Sequence, residues 1–323
     1  MKNVLILKGG GGTEHDISLI SAEFIESQIN NQKFKTLSVE ISKDFQWNYN
    51  GQKCELSFDR KLIVKGAETQ IDFVIPCLHG YPGETGDIQS YLQLINIPYL
   101  GCNSETSTIC FNKLLTKLFL EQYGINTTPF MQLNGPSDII TAKNFLTKHG
   151  CVYVKATNQG SSVGCYRITN EQELLKSISD AFNFSPFVII EKEIQGRELE
   201  VSVFQYNGKI HITPPGEIEC PNDFYSYEEK YSKESHTKTN ILAKDISKDC
   251  LIEINRQAEL AVKCLKIRHL SRIDFFLTSD SKVYINEINT FPGHTEISMF
   301  PAMMENNGVK YSDFINGLIS SLS

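Results

Sequence analysis

The chain has 323 residues, 41% of them hydrophobic and 21% charged, with a formal net charge of −7. That length can bury a large core and divide into two or three domains, while the acidic balance and scattered basic residues argue against a nucleic-acid partner. No apolar run approaches the ~18 residues of a membrane span, and nine cysteines without a CxxC pair suit a reducing cytoplasm better than a zinc or disulfide framework.

In chain order, Val4–Leu7 predicts a short strand, Gly9 to Gly12 a turn, and Asp16–Gln28 a helix, the opening of an α/β unit. The apolar stretch before the glycines is too short for a signal peptide. Strands are expected at Thr36–Ile41 and Ile71–Cys77, with 43–70 polar and hard to assign. A helix from Asp87 to about Leu94 precedes a domain end near Cys102. Ser104 is read as the cap of the next helix, whose Ile109, Leu114, Leu115, Leu118 and Phe119 form one apolar stripe before Gly124. Strands at 151–155, 164–168 and 187–192 flank a helix from Glu171 to about Phe184, with Asn170 and Glu173 set as a capping box. The last third is strand-rich (198–206, 209–213), is interrupted at 220–245, and resumes with a helix at about 248–266. A hairpin, 272–277 with 282–285, and a terminal helix from about Ser312 close the chain.

Four stretches carry candidate chemistry. "GGGGTEHDIS" (9–18) fails as a dinucleotide fingerprint, because Glu14 stands where the third glycine belongs. It reads either as a helix N-terminus and a carboxylate holding a zwitterionic amino acid, or as Glu14 complementing the helix dipole. "PCLHGYPGETGDIQ" (76–89) places His79 and Glu84 in a loop after a strand, where α/β sheets bind ligands. "VKATNQGSSVGCYRI" (154–168) offers a glycine- and serine-rich loop between strands, either a phosphate cradle with Lys155 or a plain hairpin loop. In "NEINTFPGHTEIS" (286–298), Glu287 and Asn289 lie two apart on a strand and share a face, within reach of Asp274 on the partner strand. Oxygen donors of this kind suit a hard cation such as Mg²⁺.

Taken together and in order, these stretches resemble the D-alanine–D-alanine ligases of the ATP-grasp superfamily, as do "NKLLTK", "IEKEIQGRELEVSV", "FYSYEEKY" and "RIDFFL". The resemblance spans residues 3 to about 320. It implies an α/β, three-domain ATP-grasp architecture with a Rossmann-like N-terminal domain (1–102), a central subdomain (103–193) and a C-terminal subdomain (194–323). It implies a cytoplasmic enzyme, commonly a homodimer, that joins two D-alanines with ATP and two Mg²⁺ (or Mn²⁺) ions for peptidoglycan precursors.

The resemblance also implies roles. Lys113, Lys155, Gly160, Ser162 and Lys230 would meet ATP phosphates, the hinge Glu191, Lys192, Glu193 and Ile194 the adenine, and Glu198 the ribose. Asp274, Glu287 and Asn289 would hold the metal ions, and Arg272 the reacting acyl phosphate. Glu14, linked to Ser161 and Tyr231, would clamp the first D-alanine beside His79. Gly293, Ser298 and Met299 would receive the second. Neutral Tyr231 implies D-alanine rather than D-lactate as nucleophile, although His236 lies in the same ω-loop (about 220–243). The chain departs from the family pattern at Thr85, Ala156, Glu193 and Leu242. Rival readings are a ligase for another amino or hydroxy acid, or a nucleotide-binding relative without catalysis.

Overall fold

The computed structural model describes residues 1–219 and 238–322. Lys230, Tyr231 and His236 lie outside the described residues. The rest form three sheets that follow one another along the chain.

The first sheet begins with β1 (Lys2–Gly9), whose parallel neighbours are β2 (Phe34–Ile41) and β7 (Phe73–Cys77). The unbroken apolar run Val4–Leu7 is what a strand covered on both faces requires. Val4 and Ile6 face a core shared with Ile25 of α1 (His15–Gln28), and Leu5 and Leu7 face one shared with Leu92 of α2 (Asp87–Leu94). The stretch left unassigned in the sequence holds four short strands, β3 (Trp47–Tyr49), β4 (Gln52–Leu56), β5 (Lys61–Val64) and β6 (Ala67–Gln70), which extend the sheet antiparallel beyond β2. They are brief and largely solvated, so their apolar alternation is weak.

The single helix expected after Ser104 is two, α3 (Ser104–Phe111) and α4 (Lys113–Gln122). Asn103, not Ser104, caps α3 by accepting from Thr106 N, and Asn112 breaks the run and caps α4 through Leu114 N and Leu115 N. The expected apolar stripe is also corrected. The inward face of α4 carries Leu114, Lys117 and Leu120, whereas Leu115 and Leu118 are exposed. The second sheet has the order β10-β9-β11-β8, from β8 (Phe130–Leu133), β9 (Val152–Ala156), β10 (Cys165–Ile168) and β11 (Val188–Lys192). Helices α5 (Ile139–His149) and α6 (Glu171–Phe182) cover one face around Leu146, Ile178 and Val154. Neither β8 nor α5 was anticipated. Asn170 caps α6 through Gln172 N and Glu173 N, the N-cap half of the expected capping box.

The third sheet joins β12 (Arg197–Tyr206), β13 (Lys209–Ile212), β14 (Gly216–Glu219), β15 (Lys238–Asn240), β16 (Leu270–Leu277) and β17 (Val283–Asn289), with α7 (Lys248–Leu265) packed on it. Two closing helices follow, α8 (Met299–Asn306) and α9 (Tyr311–Leu322). The apolar face of α9 (Tyr311, Phe314, Ile315, Leu318) returns to the first sheet's core beside Phe204 and Leu270 of the third. One core therefore fixes the first sheet against the third.

Candidate active site

Because β1 and β7 are parallel neighbours, the loops after them leave the same sheet edge side by side. Gly9 makes the first turn at φ +91°, where a Cβ would lie 2.4 Å from Ile41 O. Glu14 ends that loop and makes no side-chain cap bond to α1. Its Oε1 instead accepts from Ser161 Oγ at 2.7 Å, 147 residues away. A Cβ on Gly160 would stand 3.1 Å from Glu14 Oε2, so the two glycine-rich loops are in contact.

From the β7 loop, His79 is buried with its Nε2 3.0 Å from Ser21 Oγ, and burial lowers its pKa. Glu84 Oε2 accepts from Gly80 N at 2.8 Å. Burial, then the nearby Glu14 charge, pushes the Glu84 carboxyl up to about 8. A raised carboxyl pKa means the folded state holds a proton that the unfolded state releases above about 4.5. Its stabilising contribution is complete below that value and is lost as pH rises toward 8. Discounted for partial solvent access, the loss is about 1–3 kcal/mol. Glu84→Gln keeps the Gly80 acceptor and should flatten this dependence. Melting temperatures from pH 5 to 8 check it, and parallel wild-type and variant curves would refute it.

A cavity of about 620 Å³ lies between the second and third sheets, lined by strands from both. At one end sits the 158–164 loop, where Ser161 and Ser162 hold φ +48° and +62°. Lys113, first residue of α4, donates to Gln159 O at 3.0 Å and lies 3.3 Å from Glu287 Oε2. Lys155 lies 2.7 Å from Glu191 Oε2. The sequence reading missed Lys117, which is 1% exposed, donates to Thr128 Oγ1 at 2.6 Å and lies 3.1 Å from Glu191 Oε1. Burial opposes the Glu191 charge, but Lys117 and Lys155 outweigh it and hold that carboxyl at about 2. The Glu191 side chain is thus committed to two lysines. Ala156 N donates to Gly164 O at 2.9 Å, a bond that a proline at this position could not make.

On the third sheet, Asp274 pairs with Glu287 and Arg272 with Asn289. Plain alternation from Val283 and Ile285 would turn Glu287 and Asn289 into the core. A register shift opposite Asp274 and Phe275 leaves Asn286 unpaired and returns both to the cavity face. Arg272 donates Nε and Nη2 to the two Asp274 oxygens at 2.7 Å each, and lies 3.3 Å from buried Glu200. Asn289 Nδ2 donates to Asp274 Oδ2 at 3.1 Å. A carboxylate has about four lone-pair sites, so Asp274, Glu287 and the Asn289 carbonyl still offer a hard-cation donor set. The residues fit Mg²⁺.

Away from the phosphate loop the same cavity is lined by Lys192, Glu193, Ile194 and Glu198. Ser298 precedes α8, and its Oγ accepts from Thr295 N at 2.9 Å. A Cβ on Gly293 would lie 3.0 Å from that Oγ. The Met299 side chain packs with Ile218 and Met303. Thr85 donates its hydroxyl to Asp87.

Two sheets clasping one cavity, with lysines and a serine-glycine loop at one end and paired oxygen donors on strands opposite, define an ATP-grasp protein. Family models for the D-ala D-ala ligase N-terminus and C-terminus match residues 3–102 and 119–320. The chain is 48% identical to a D-alanine–D-alanine ligase of Aeromonas hydrophila, covering 99% of both chains. Its structure is similar to the D-alanyl-alanine synthetase A of Vibrio cholerae, with a TM-score of 0.95, 45% identity and coverage of 99% and 98%. It is also similar to a D-Ala:D-Ser ligase, VanG of Enterococcus faecalis, with a TM-score of 0.89, 26% identity and coverage of 100% and 99%. The chain belongs to the D-alanine–D-alanine ligase family.

Proposed function

We propose that this protein joins two D-alanines into D-alanyl-D-alanine at the expense of ATP. The observation that carries the reading is the Glu14–Ser161 hydrogen bond, which ties the amino-acid loop to the phosphate loop. An amino-acid carboxylate beside Glu14 then lies next to the terminal phosphate of a nucleotide held by the 158–164 loop.

A carboxylate is a poor electrophile and must be activated. The carboxylate oxygen of the first D-alanine attacks the γ-phosphorus, and the bond to the bridging oxygen of ADP breaks. The amine of the second D-alanine attacks the acyl carbon, loses a proton, and phosphate leaves. Such transfer asks the protein for positioning and charge neutralisation. Glu14 holds the first ammonium, with neutral His79 closing the site behind it. Lys113 and Lys155 meet phosphate oxygens, Arg272 steadies the acyl phosphate, and Glu198 takes the ribose hydroxyls. The α8 N-terminus, with Ser298 and Gly293, receives the second carboxylate. Asp274, Glu287 and Asn289 would hold Mg²⁺, which when bound neutralises charge on the phosphate oxygens.

The decisive experiment is ADP release with a panel of D- and L-amino acids and D-hydroxy acids, with products identified by mass spectrometry. D-Alanyl-D-alanine should dominate at pH 7 even with equimolar D-serine or D-lactate. A majority of another product would replace this substrate assignment. Glu14→Gln retains the acceptor for Ser161 but loses the charge. It should raise the D-alanine KM about ten- to a hundredfold with ATP binding little changed. A defect confined to ATP affinity would contradict the role of Glu14.

A further inference from the structure

Arg167 belongs to no role assigned above, and the Glu193 side chain to none beyond its place in the adenine hinge, yet both line the nucleotide cavity. Arg167 pairs across the strands with Tyr153, and Cys165 with Lys155, so Arg167 lies on the same sheet face as Lys155 but one step further from the phosphate loop. A nucleotide whose phosphates meet Lys155 and that loop must send its base in this direction.

The guanidinium is fixed. Its Nε and Nη2 donate to the two Glu193 oxygens at 2.6 and 3.2 Å. The Cys151 thiol and the Tyr153 hydroxyl also hydrogen-bond Glu193, and its side chain is only 12% exposed against 38% for Arg167. The anion is therefore enclosed and neutralised, while the flat cation remains accessible to the cavity. Planar guanidinium groups stack on aromatic faces, and a fork already held by a carboxylate has little freedom left to lose.

We propose that Arg167, held flat by Glu193, is a nucleobase-binding residue whose plane covers the purine of the bound nucleotide. This rests on the nucleotide site described above and deepens it. The ion pair is the holder, and the stacking plane is the working part. An exposed ion pair that served only stability would contribute little and would not sense the base.

The test uses the full chain in three variants, Arg167→Leu, Arg167→Lys and Glu193→Gln, each first checked by melting temperature. Binding of ATP, AMP and inorganic tripolyphosphate is measured by calorimetry, and KM and kcat for ATP by ADP release. Arg167→Leu should weaken ATP and AMP binding about tenfold and leave kcat within about twofold. Tripolyphosphate, which has no base, should bind as before. Arg167→Lys keeps the charge but loses the plane, and should behave like Arg167→Leu. Glu193→Gln should give a smaller loss of the same kind. Unchanged ATP binding in Arg167→Leu, equal weakening of ATP and tripolyphosphate, or full retention in Arg167→Lys would each overturn the proposal. If wild-type protein binds ATP but fails to ligate D-alanine, the substrate assignment falls while the binding arms still decide the role of Arg167. Should Arg167→Leu not fold, Arg167→Lys and Glu193→Gln carry the same comparison.

Discussion

Glu287→Gln should lower turnover by about two to four orders of magnitude while moving the melting temperature by only a few degrees. The side chain is partly exposed at a strand end, so the amide replaces the carboxylate without opening a cavity. What disappears is one negative charge, opposite Asp274 and 3.3 Å from Lys113 Nζ. Phosphoryl transfer depends on charge balance among the phosphates, the cation they share and the lysines around them. In the proposed reading, Glu287 carries part of that balance on the third sheet, together with Asp274 and Asn289. ADP release at saturating D-alanine, titrated with Mg²⁺, checks the prediction. Turnover within a few fold of wild type at saturating Mg²⁺ would remove Glu287 from the proposed metal site.

Much of this corner was legible because strands alternate. Glu287 and Asn289 read as one face, and the expected hairpin put Asp274 on the partner strand. The bulge at Asn286 was missed, although the apolar residues step from Ile285 to Ile288, an odd interval that plain alternation does not produce. Lys117 was hidden for the opposite reason. Leu115 and Leu118 are apolar yet exposed, so periodicity assigned α4 the wrong inner face and left a buried lysine among its polar residues. The pairing of Glu193 with Arg167 joins residues 26 apart in sequence and required the fold. Glu193 itself was flagged as out of pattern, without any indication of its partner. The short strands β3 to β6 carry too few buried residues for alternation to register.

The Lys117–Glu191–Lys155 group provides the second large effect, on stability. Glu191 is 2% exposed and lies within 3.1 Å of both ammonium groups. Removing one member of a buried ion group leaves the others without compensation, typically a loss of about 3–5 kcal/mol. Glu191→Leu strands two cations, and Lys117→Met strands only part of one anion, since Lys155 remains. The expected order of stability is therefore wild type, then Lys117→Met, then Glu191→Leu, measured by denaturant midpoint in the ligand-free protein. The double variant Glu191→Leu/Lys117→Met should recover part of the Glu191→Leu loss, because a buried cation has been replaced by an apolar chain of similar length. The depressed carboxyl pKa fixes the pH signature. The Glu191 contribution is fully present above about 4.5 and is lost as pH falls toward 2, so the wild-type advantage over Glu191→Leu should shrink across that window. Simple additivity in the double variant, or a gap that does not depend on pH, would show that the three side chains do not act as one unit.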